Sequence, residues 1–316
     1  MTENDEFQSF GEALLYHRKK EGFSQEQLAD GICSREYIGQ IEKRKKIPTL
    51  HMIHAFSRKM DINLFDVYAL IIDHHDFDTH LKIEQLDDFI HSREDNLLYQ
   101  TARQYADLPG FSHGIPYQHI MQAYAVYFAN IPKDYEKSIY YASKGLEVSG
   151  LNDIDQEPSS TLTNEDLCLL TAKAVALCRN GQLSEGRKHF EFLHECAKLR
   201  FVENRYIANR NRRFDIKLFA LTTFNICEFF KDDVERNLKL LDDSIALLNK
   251  YECSSKQPEL LLYKARYLYD QNKKAKAQNC FNAGYYLLLC NQSQAEAEEC
   301  ARDILKERYD SLRNPI

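Results

Sequence analysis

Residues 24–48, SQEQLADGICSREYIGQIEKRKKIP, read as two short helices joined by a tight turn. Ser24 is an N-cap residue, and Gln27 follows it at the spacing of a capping box. Ser34 caps the second helix, and Gly31 lies between the helices, where a chain leaving a helix often needs a positive φ. The small Ala29 would let the two helices cross closely, and Ile38 and Ile41 share one face of the second helix. The apolar positions are Leu28, Ala29, Ile32, Ile38 and Ile41.

This pattern resembles the helix-turn-helix of the phage-repressor-like (XRE, Cro/C1-type) DNA-binding domain. The turn, Gly-Ile-Cys-Ser, is closer to that of regulators of the Rgg, PlcR and PrgX type. One departure is clear, because Lys43-Arg44 stands where the family usually has a glycine after the helix-ending Glu42. The residues that carry the resemblance are Ser24-Gln25, Leu28-Ala29, Gly31-Ile32, Ser34, Ile38, Ile41-Glu42 and Pro48.

The resemblance implies that the second helix enters the major groove of DNA with its N-terminal residues at base edges. Arg35 then suits guanine, Gln40 adenine and Glu36 a cytosine amino group, although Glu36 is equally compatible with plain solvation. Tyr37 faces part-way between the groove and the core. Positions that resemble phosphate contacts, or that add backbone charge, are Gln25, Ser34, Lys43, Arg44, Lys45 and Lys46.

The composition favours a nearly all-helical protein with aromatic packing. There are 11 Gly and 7 Pro, no Trp, 19 Tyr and 18 Phe among 316 residues. No run approaches the roughly 20 apolar residues of a membrane span, and the acidic start lacks a signal-peptide core. Nine cysteines without a CxxC pair predict reduced thiols in core positions rather than disulfides or zinc, so we expect no metal and no cofactor.

The net charge of −7 does not by itself indicate nucleic-acid binding. The case for DNA therefore depends on where the cations lie, because each neutralised phosphate releases counterions and one clustered face is sufficient.

Residues 1–72 are predicted to form a five-helix domain of the repressor type. Its first helix is predicted over 7–20, its fourth from Leu50 and its fifth over 62–71. Residues 73–80 are predicted to be a linker. The histidines and aspartates of this segment also resemble metal ligands, but nothing downstream supplies a matched set, so a solvated linker is favoured.

From residue 81 to residue 316 the chain repeats a unit of helix, polar turn and helix. A divergent first pair covers 81–108, and a polar terminal cap covers 293–313. Four further pairs are predicted over 117–149, 164–200, 215–251 and 258–291, with turns near 130–134, 180–182, 231–233 and 272–273.

These repeats resemble degenerate tetratricopeptide (TPR) repeats, with turn-to-turn spacing of about 40–50 residues against about 34 for the standard repeat. The resemblance implies a right-handed stack of helix pairs with a concave groove, and such grooves commonly bind extended peptides. The other interpretation is a helical domain used only for dimerisation.

The stretch 203–213 is basic and rich in asparagine within an acidic domain. A solvated helix face is one interpretation. The other is a patch for a peptide, since asparagine offers both a donor and an acceptor to the main chain and arginine suits a terminal carboxylate. The candidate peptide-binding residues are Asn204, Arg205, Asn209, Arg212, Asn225, Tyr263 and Arg266.

The whole architecture resembles the peptide-pheromone-responsive regulators of Gram-positive bacteria, the Rgg/PlcR/PrgX/Rap-related group. The resemblance implies a cytoplasmic, homodimeric transcription factor that binds double-stranded operator DNA and a short signalling peptide, without a membrane partner. Two alternatives remain: a constitutive regulator whose repeats only dimerise, and a protein-interaction adaptor. The sequence contains none of the catalytic motifs GxSxG, HExxH or a phosphate-binding glycine loop, so an enzyme is not predicted.

Overall fold

The computed structural model describes residues 9–62, 64, 77–151, 154, 157–159, 161–203 and 209–313, without the side chains of 77–78, 201–203 and 209–212. Within these ranges the regular structure is helical, and no strand occurs. The first four helices are α1 (Phe10–Lys20), α2 (Gln25–Ala29), α3 (Arg35–Glu42) and α4 (Leu50–Met60). The start predicted for the first helix and most of the predicted fifth helix lie outside the described residues.

The helix starts in this domain are capped as the sequence predicts. Ser24 Oγ accepts a hydrogen bond from the Gln27 amide at 3.0 Å, and the Ser24 amide donates to Gln27 Oε1 at 2.7 Å, which completes a capping box. Ser34 caps α3 through the Tyr37 amide at 3.2 Å. Gly31 has a φ of 72°, so the predicted left-handed turn is confirmed.

The four helices enclose one apolar core. Its buried residues include the inward positions predicted on α2 and α3, and α1, α4 and Leu64 supply the rest. The core consists of Phe10, Leu14, Leu28, Ala29, Ile38, Ile41, Ile53, Phe56, Met60 and Leu64. Helices α1 and α3 meet closely at Gly11, where an added Cβ would lie 2.1 Å from the carbonyl oxygen of Ile41.

The remainder of the chain is built from antiparallel helix pairs joined by short turns. The order is α5 (Phe77–Ser92), α6 (Asp95–Ala106), α7 (Gly114–Asn130), α8 (Tyr135–Leu146), α9 (Asn164–Arg179), α10 (Leu183–Glu203), α11 (Asn209–Phe229), α12 (Val234–Lys250), α13 (Gln257–Asp270), α14 (Lys274–Asn291), α15 (Gln294–Leu305) and α16 (Tyr309–Arg313), with short 3-10 turns at Pro109–Phe111, Glu147–Ser149 and Lys306–Arg308. The four predicted repeat turns all fall between the two helices of a pair.

Each helix from α9 to α14 contacts the next helix along the chain. The first helices of successive pairs, α9, α11 and α13, also contact one another, and α13 contacts α15. Because the first helices approach each other more closely than the second helices do, the stack curves toward them. The first helices therefore line the inner side of the repeat domain.

The chain divides into two compact units, residues 1–116 and 117–316. The predicted linker, residues 73–80, does not coincide with the boundary between these two units after residue 116. Residues 77–80 of the predicted linker form the first turn of α5. The other residues of the predicted linker, with His74 and His75, lie outside the described ranges. The three-part domain division therefore stays a prediction.

The nine cysteines are all free thiols. The prediction that they fill core positions holds for Cys178, Cys196 and Cys227, but it is wrong for Cys290, which is exposed. Burial raises the pKa of the Cys178 thiol to about 11 and that of Cys227 to about 12, so neither is a reactive thiolate at neutral pH.

Candidate functional site

Helix α3 has the two-sided character that a reading helix needs. Its apolar side, Ile38 and Ile41, is buried in the domain core. On the other side Arg35, Glu36 and Gln40 are exposed to solvent. The structure therefore leaves these side chains available to a partner.

The residues that flank this face are also accessible. Ser34 is exposed, and so is each residue of the run Lys43-Arg44-Lys45-Lys46. A basic segment thus follows directly from the end of α3 on the same small domain.

Tyr37 turns toward the segment that follows α3. Its hydroxyl lies 3.4 Å from the carbonyl oxygen of Ile47, and the ammonium of Lys46 lies 5.2 Å from its ring centroid. The ring therefore packs against Lys46 of the basic run. Tyr37 is half-buried, which agrees with the intermediate position expected from the sequence.

Glu36 is exposed, but its carboxylate also has a local role. A hydrogen bond from its own backbone amide, followed by one from Ser34, lowers the pKa of Glu36. The carboxylate therefore stays ionised at the positive N-terminal end of α3, where a negative charge is favourable.

A buried ion pair joins α1 to the C-terminal end of α3. Arg18 Nε donates to Glu42 Oε1 at 2.5 Å, and Arg18 Nη1 donates to the carbonyl oxygen of Phe23 at 2.8 Å. Gln25 Nε2 donates to the other Glu42 oxygen at 2.7 Å. Helix α3 is therefore held at its C-terminal end by charge-assisted hydrogen bonds from α1 and α2.

The sequence pattern did not predict this network. A signal was present, since Arg18 lies one helical turn after the buried Leu14 and so occupies the apolar face of α1. A charged residue on such a face needs a partner, and Glu42 supplies it. In this conformation the network engages the Gln25 amide, so its predicted phosphate contact stays a prediction.

The candidate peptide-binding residues do not form one described cluster. Asn204 and Arg205 lie outside the described residues, and the side chains of Asn209 and Arg212 are not described. Asn225 is 7% exposed and its Nδ2 donates to the carbonyl oxygen of Leu221 at 2.9 Å.

The two candidates on α13 are both engaged within the repeat domain. Tyr263 is 1% exposed, and its hydroxyl contacts the carboxylate of Glu228 on α11. Arg266 Nη1 donates to the carbonyl oxygen of Ile304 at 3.1 Å. The burial of Tyr263 favours a packing role between first helices, and its contact with a peptide stays a prediction.

A second buried ion pair stands at the edge of the basic 203–213 stretch. Arg200 Nε on α10 donates to Asp215 Oδ1 on α11 at 2.8 Å, and both side chains are almost completely buried. Arg200 also donates to Asn164 Oδ1 at 2.6 Å and to the carbonyl oxygen of Leu162. The pair therefore ties α10 and α11 to the first residue of α9 and to the segment just before it.

A small cleft between α10, α11 and α12 has room for about one water molecule, with a volume of about 10 Å³. It is lined by Arg187, Glu191, Ile226, Phe230, Asp233, Arg236 and Asn237.

Among the described residues no group of His, Cys, Asp and Glu has the arrangement of a metal site. In the same part of the chain, no helix has the length and apolar character needed to cross a membrane.

Comparison with known proteins agrees with this description. Residues 14–67 match the family model of the helix-turn-helix. A search of curated proteins found no match. The fold thus defines the class: an all-α protein with an N-terminal helix-turn-helix followed by helical repeats.

Solved structures share the fold along nearly the whole chain. Bacillus thuringiensis PlcR in complex with the peptide PapR7 and DNA has a TM-score of 0.69 at 17% identity, over 95% of this chain and 100% of that one. The PrgX/cCF10 complex has a TM-score of 0.54 at 13% identity, over 94% and 99%. ComR from S. thermophilus, in complex with DNA and its signalling peptide ComS, has a TM-score of 0.50 at 13% identity, over 94% and 99%. At these identities the similarities show a shared fold.

Proposed function

We propose that this chain is a cytoplasmic, homodimeric transcriptional regulator that binds operator DNA through α3 and a short signalling peptide through its helical repeats. The observation that carries the proposal is the exposed face of a capped, internally braced α3, placed in a helix-turn-helix that precedes a repeat domain. Proteins of the same fold have been solved with DNA and with peptides.

On the DNA side, Arg35 and Gln40 are the proposed base-reading residues. Arginine is the usual partner of guanine and glutamine of adenine, because each matches the donors and acceptors of one base edge in the major groove. Glu36 is proposed to accept from cytosine. The lysines of the basic run contribute phosphate contacts, which add affinity without sequence preference.

The DNA assignment is tested by selecting duplexes from a random pool with the full chain and titrating the selected sequence. Arg35→Ala and Gln40→Ala should each weaken binding to it by about tenfold or more, with little change for a random duplex. Lys188→Ala, an exposed cation on α10, is the control and should change neither. Equal loss on selected and random duplexes would contradict the base-reading role, and an adaptor would select no sequence at all.

On the peptide side, we propose that the inner side of the repeats receives the main chain and that Arg205 or Arg212 receives the C-terminal carboxylate. Peptide binding would then bias the placement of the two DNA-binding domains of a dimer, which requires the peptide to prefer one arrangement. A domain division near residues 73–80 is part of the same proposal.

The peptide assignment is tested with a library of short synthetic peptides and thermal unfolding of the full chain, followed by titration of those that raise the transition. A bound peptide should lose affinity when its C-terminus is amidated, and the Arg205→Gln/Arg212→Gln variant should no longer distinguish the two forms. DNA binding measured with and without the peptide separates this proposal from a constitutive regulator, for which the two titrations coincide.

A further inference from the structure

The basic run that follows α3 contains one residue whose charge is already paired. The guanidinium of Arg44 contacts the carboxylate of Glu12, which lies in the first turn of α1. The side chains are 49% and 38% exposed, so the pair lies at the surface, next to the C-terminal end of α3.

The backbone brings these two residues together. Arg44 adopts a left-handed φ of 59° at the end of α3, its amide donates to the carbonyl of Ile41, and the next amide, of Lys45, donates to Gln40. This is a Schellman ending, and it sets the direction in which Arg44 leaves the helix.

The partner helix is fixed just as closely. Gly11 packs against the carbonyl oxygen of Ile41, with no room for a Cβ, so α1 lies directly on the end of α3. Glu12 is the next residue along α1. The pairing of Glu12 with Arg44 therefore follows from a tight contact between helices rather than from two free side chains meeting by chance.

We propose that Glu12 limits DNA affinity by competing with DNA phosphates for the guanidinium of Arg44. This inference rests on the proposed DNA-binding function. A carboxylate and a phosphate use the same forked set of N–H donors, so an arginine bound to one has fewer donors for the other. While the pair is formed, Arg44 adds no net charge to the basic run, and Lys43, Lys45 and Lys46 provide its electrostatic attraction.

The effect should be moderate, because ion pairs exposed to this degree are weak. Glu12 would therefore reduce the affinity for DNA by a few-fold without preventing binding. Such a reduction acts on the sequence-independent part of the affinity, which consists of phosphate contacts.

The test uses the full chain and a random-sequence duplex, with binding measured over a series of salt concentrations. The slope of log K against log salt counts phosphate contacts, at about 0.9 for each. The proteins are the wild type, Glu12→Gln, Arg44→Gln and the double variant. Glu26→Gln is the matched control, since it removes one exposed carboxylate from α2 of the same domain. Thermal unfolding confirms that each variant is folded.

We expect Glu12→Gln to raise affinity a few-fold more than Glu26→Gln does and to steepen the slope by up to about 0.9. We expect Glu12→Gln to lose this advantage when residue 44 is already glutamine, because the competition requires Arg44. The inference is overturned if Glu12→Gln and Glu26→Gln have equal effects, or if Glu12→Gln raises affinity as much in the Arg44→Gln background as in the wild type. Failure of the wild type to bind any duplex would instead overturn the proposed function, and this inference with it.

Discussion

Gly11 shows how a single residue sets the distance between two helices. An added Cβ would lie 2.1 Å from a backbone carbonyl oxygen of α3, and a backbone atom cannot move aside as a side chain can. Gly39 lies in the same domain and also within a helix, but its Cβ would meet only the Gln25 side chain, at an ordinary 3.7 Å.

We therefore expect opposite results from two alanine substitutions. Gly11→Ala should destabilise the N-terminal domain by about 2 kcal/mol or more, because the helices must separate. Gly39→Ala should be neutral or stabilising by up to about 1 kcal/mol, because alanine is the better helix former. Urea unfolding of both variants measures the difference, and a stable Gly11→Ala would show that α1 and α3 are less closely packed.

The ion pair of Arg18 and Glu42 is the second feature at this scale. Glu42→Gln would leave a buried guanidinium without its counter-charge, so we expect a loss of about 3–5 kcal/mol in the free energy of unfolding. The double variant Arg18→Met/Glu42→Leu should lose clearly less, because it removes both charges together. If the single and double variants were equally destabilised, packing rather than charge would be the cause.

At the scale of elements, the helices follow from local signals. Ser24 and Ser34 begin α2 and α3 at the predicted positions, and the repeat turns lie where polar residues interrupt two apolar patterns. These features could be predicted because caps and turns are made by residues close together in the chain. The contact of Glu42 with Arg18 spans 24 residues, so no local pattern indicates the pairing itself.

Helix α10 also carries a half-buried histidine, His194, whose ring packs against α11. The ring of His194 lies 4.2 Å from that of Phe219, and burial is the main cause that lowers the pKa of His194 below 6.5. The charged groups that act on it from α10 and α12 are Glu195, Lys198, Arg236 and Asp243.

This lowered pKa predicts a pH-dependent stability. The unfolded chain takes up the proton at a higher pH than the folded chain, so His194 contributes stability that is complete above pH 6.5 and is lost as the pH falls toward the lowered folded pKa. His194→Phe should keep the ring contact and lose less stability than the wild type over that window. Urea unfolding at a series of pH values measures this, and parallel curves for the two proteins would contradict it.

At the scale of the whole molecule, the helix-turn-helix and the C-terminal repeats have separate apolar cores. One core gathers Phe10 to Leu64, and the other gathers residues from Ile216 to Leu312. Compact units divided at residue 116 are consistent with this separation.

We expect the two cores to unfold in separate thermal transitions, each lowered only by substitutions within that core. In calorimetry of the full chain, Glu42→Gln should lower the transition temperature of the helix-turn-helix core. Leu262 is fully buried, so Leu262→Ala should reduce the free energy of unfolding by about 2–5 kcal/mol and lower the transition temperature of the repeat core. Each variant should leave the other transition in place. A single transition that both variants shift equally would show that the chain unfolds as one cooperative unit.

The sequence alone was sufficient for the all-α class, the capped helix-turn-helix with its exposed Arg35 and Gln40, and the positions of the repeat turns. These features depend on apolar periodicity and on residues that are near neighbours in the chain. The tertiary structure alone decided that Glu42 pairs with Arg18, that Glu12 meets Arg44, and that Tyr263 lies in the core. Each of these features depends on residues that are far apart in the chain, and only the packing of the helices determines which side chains meet.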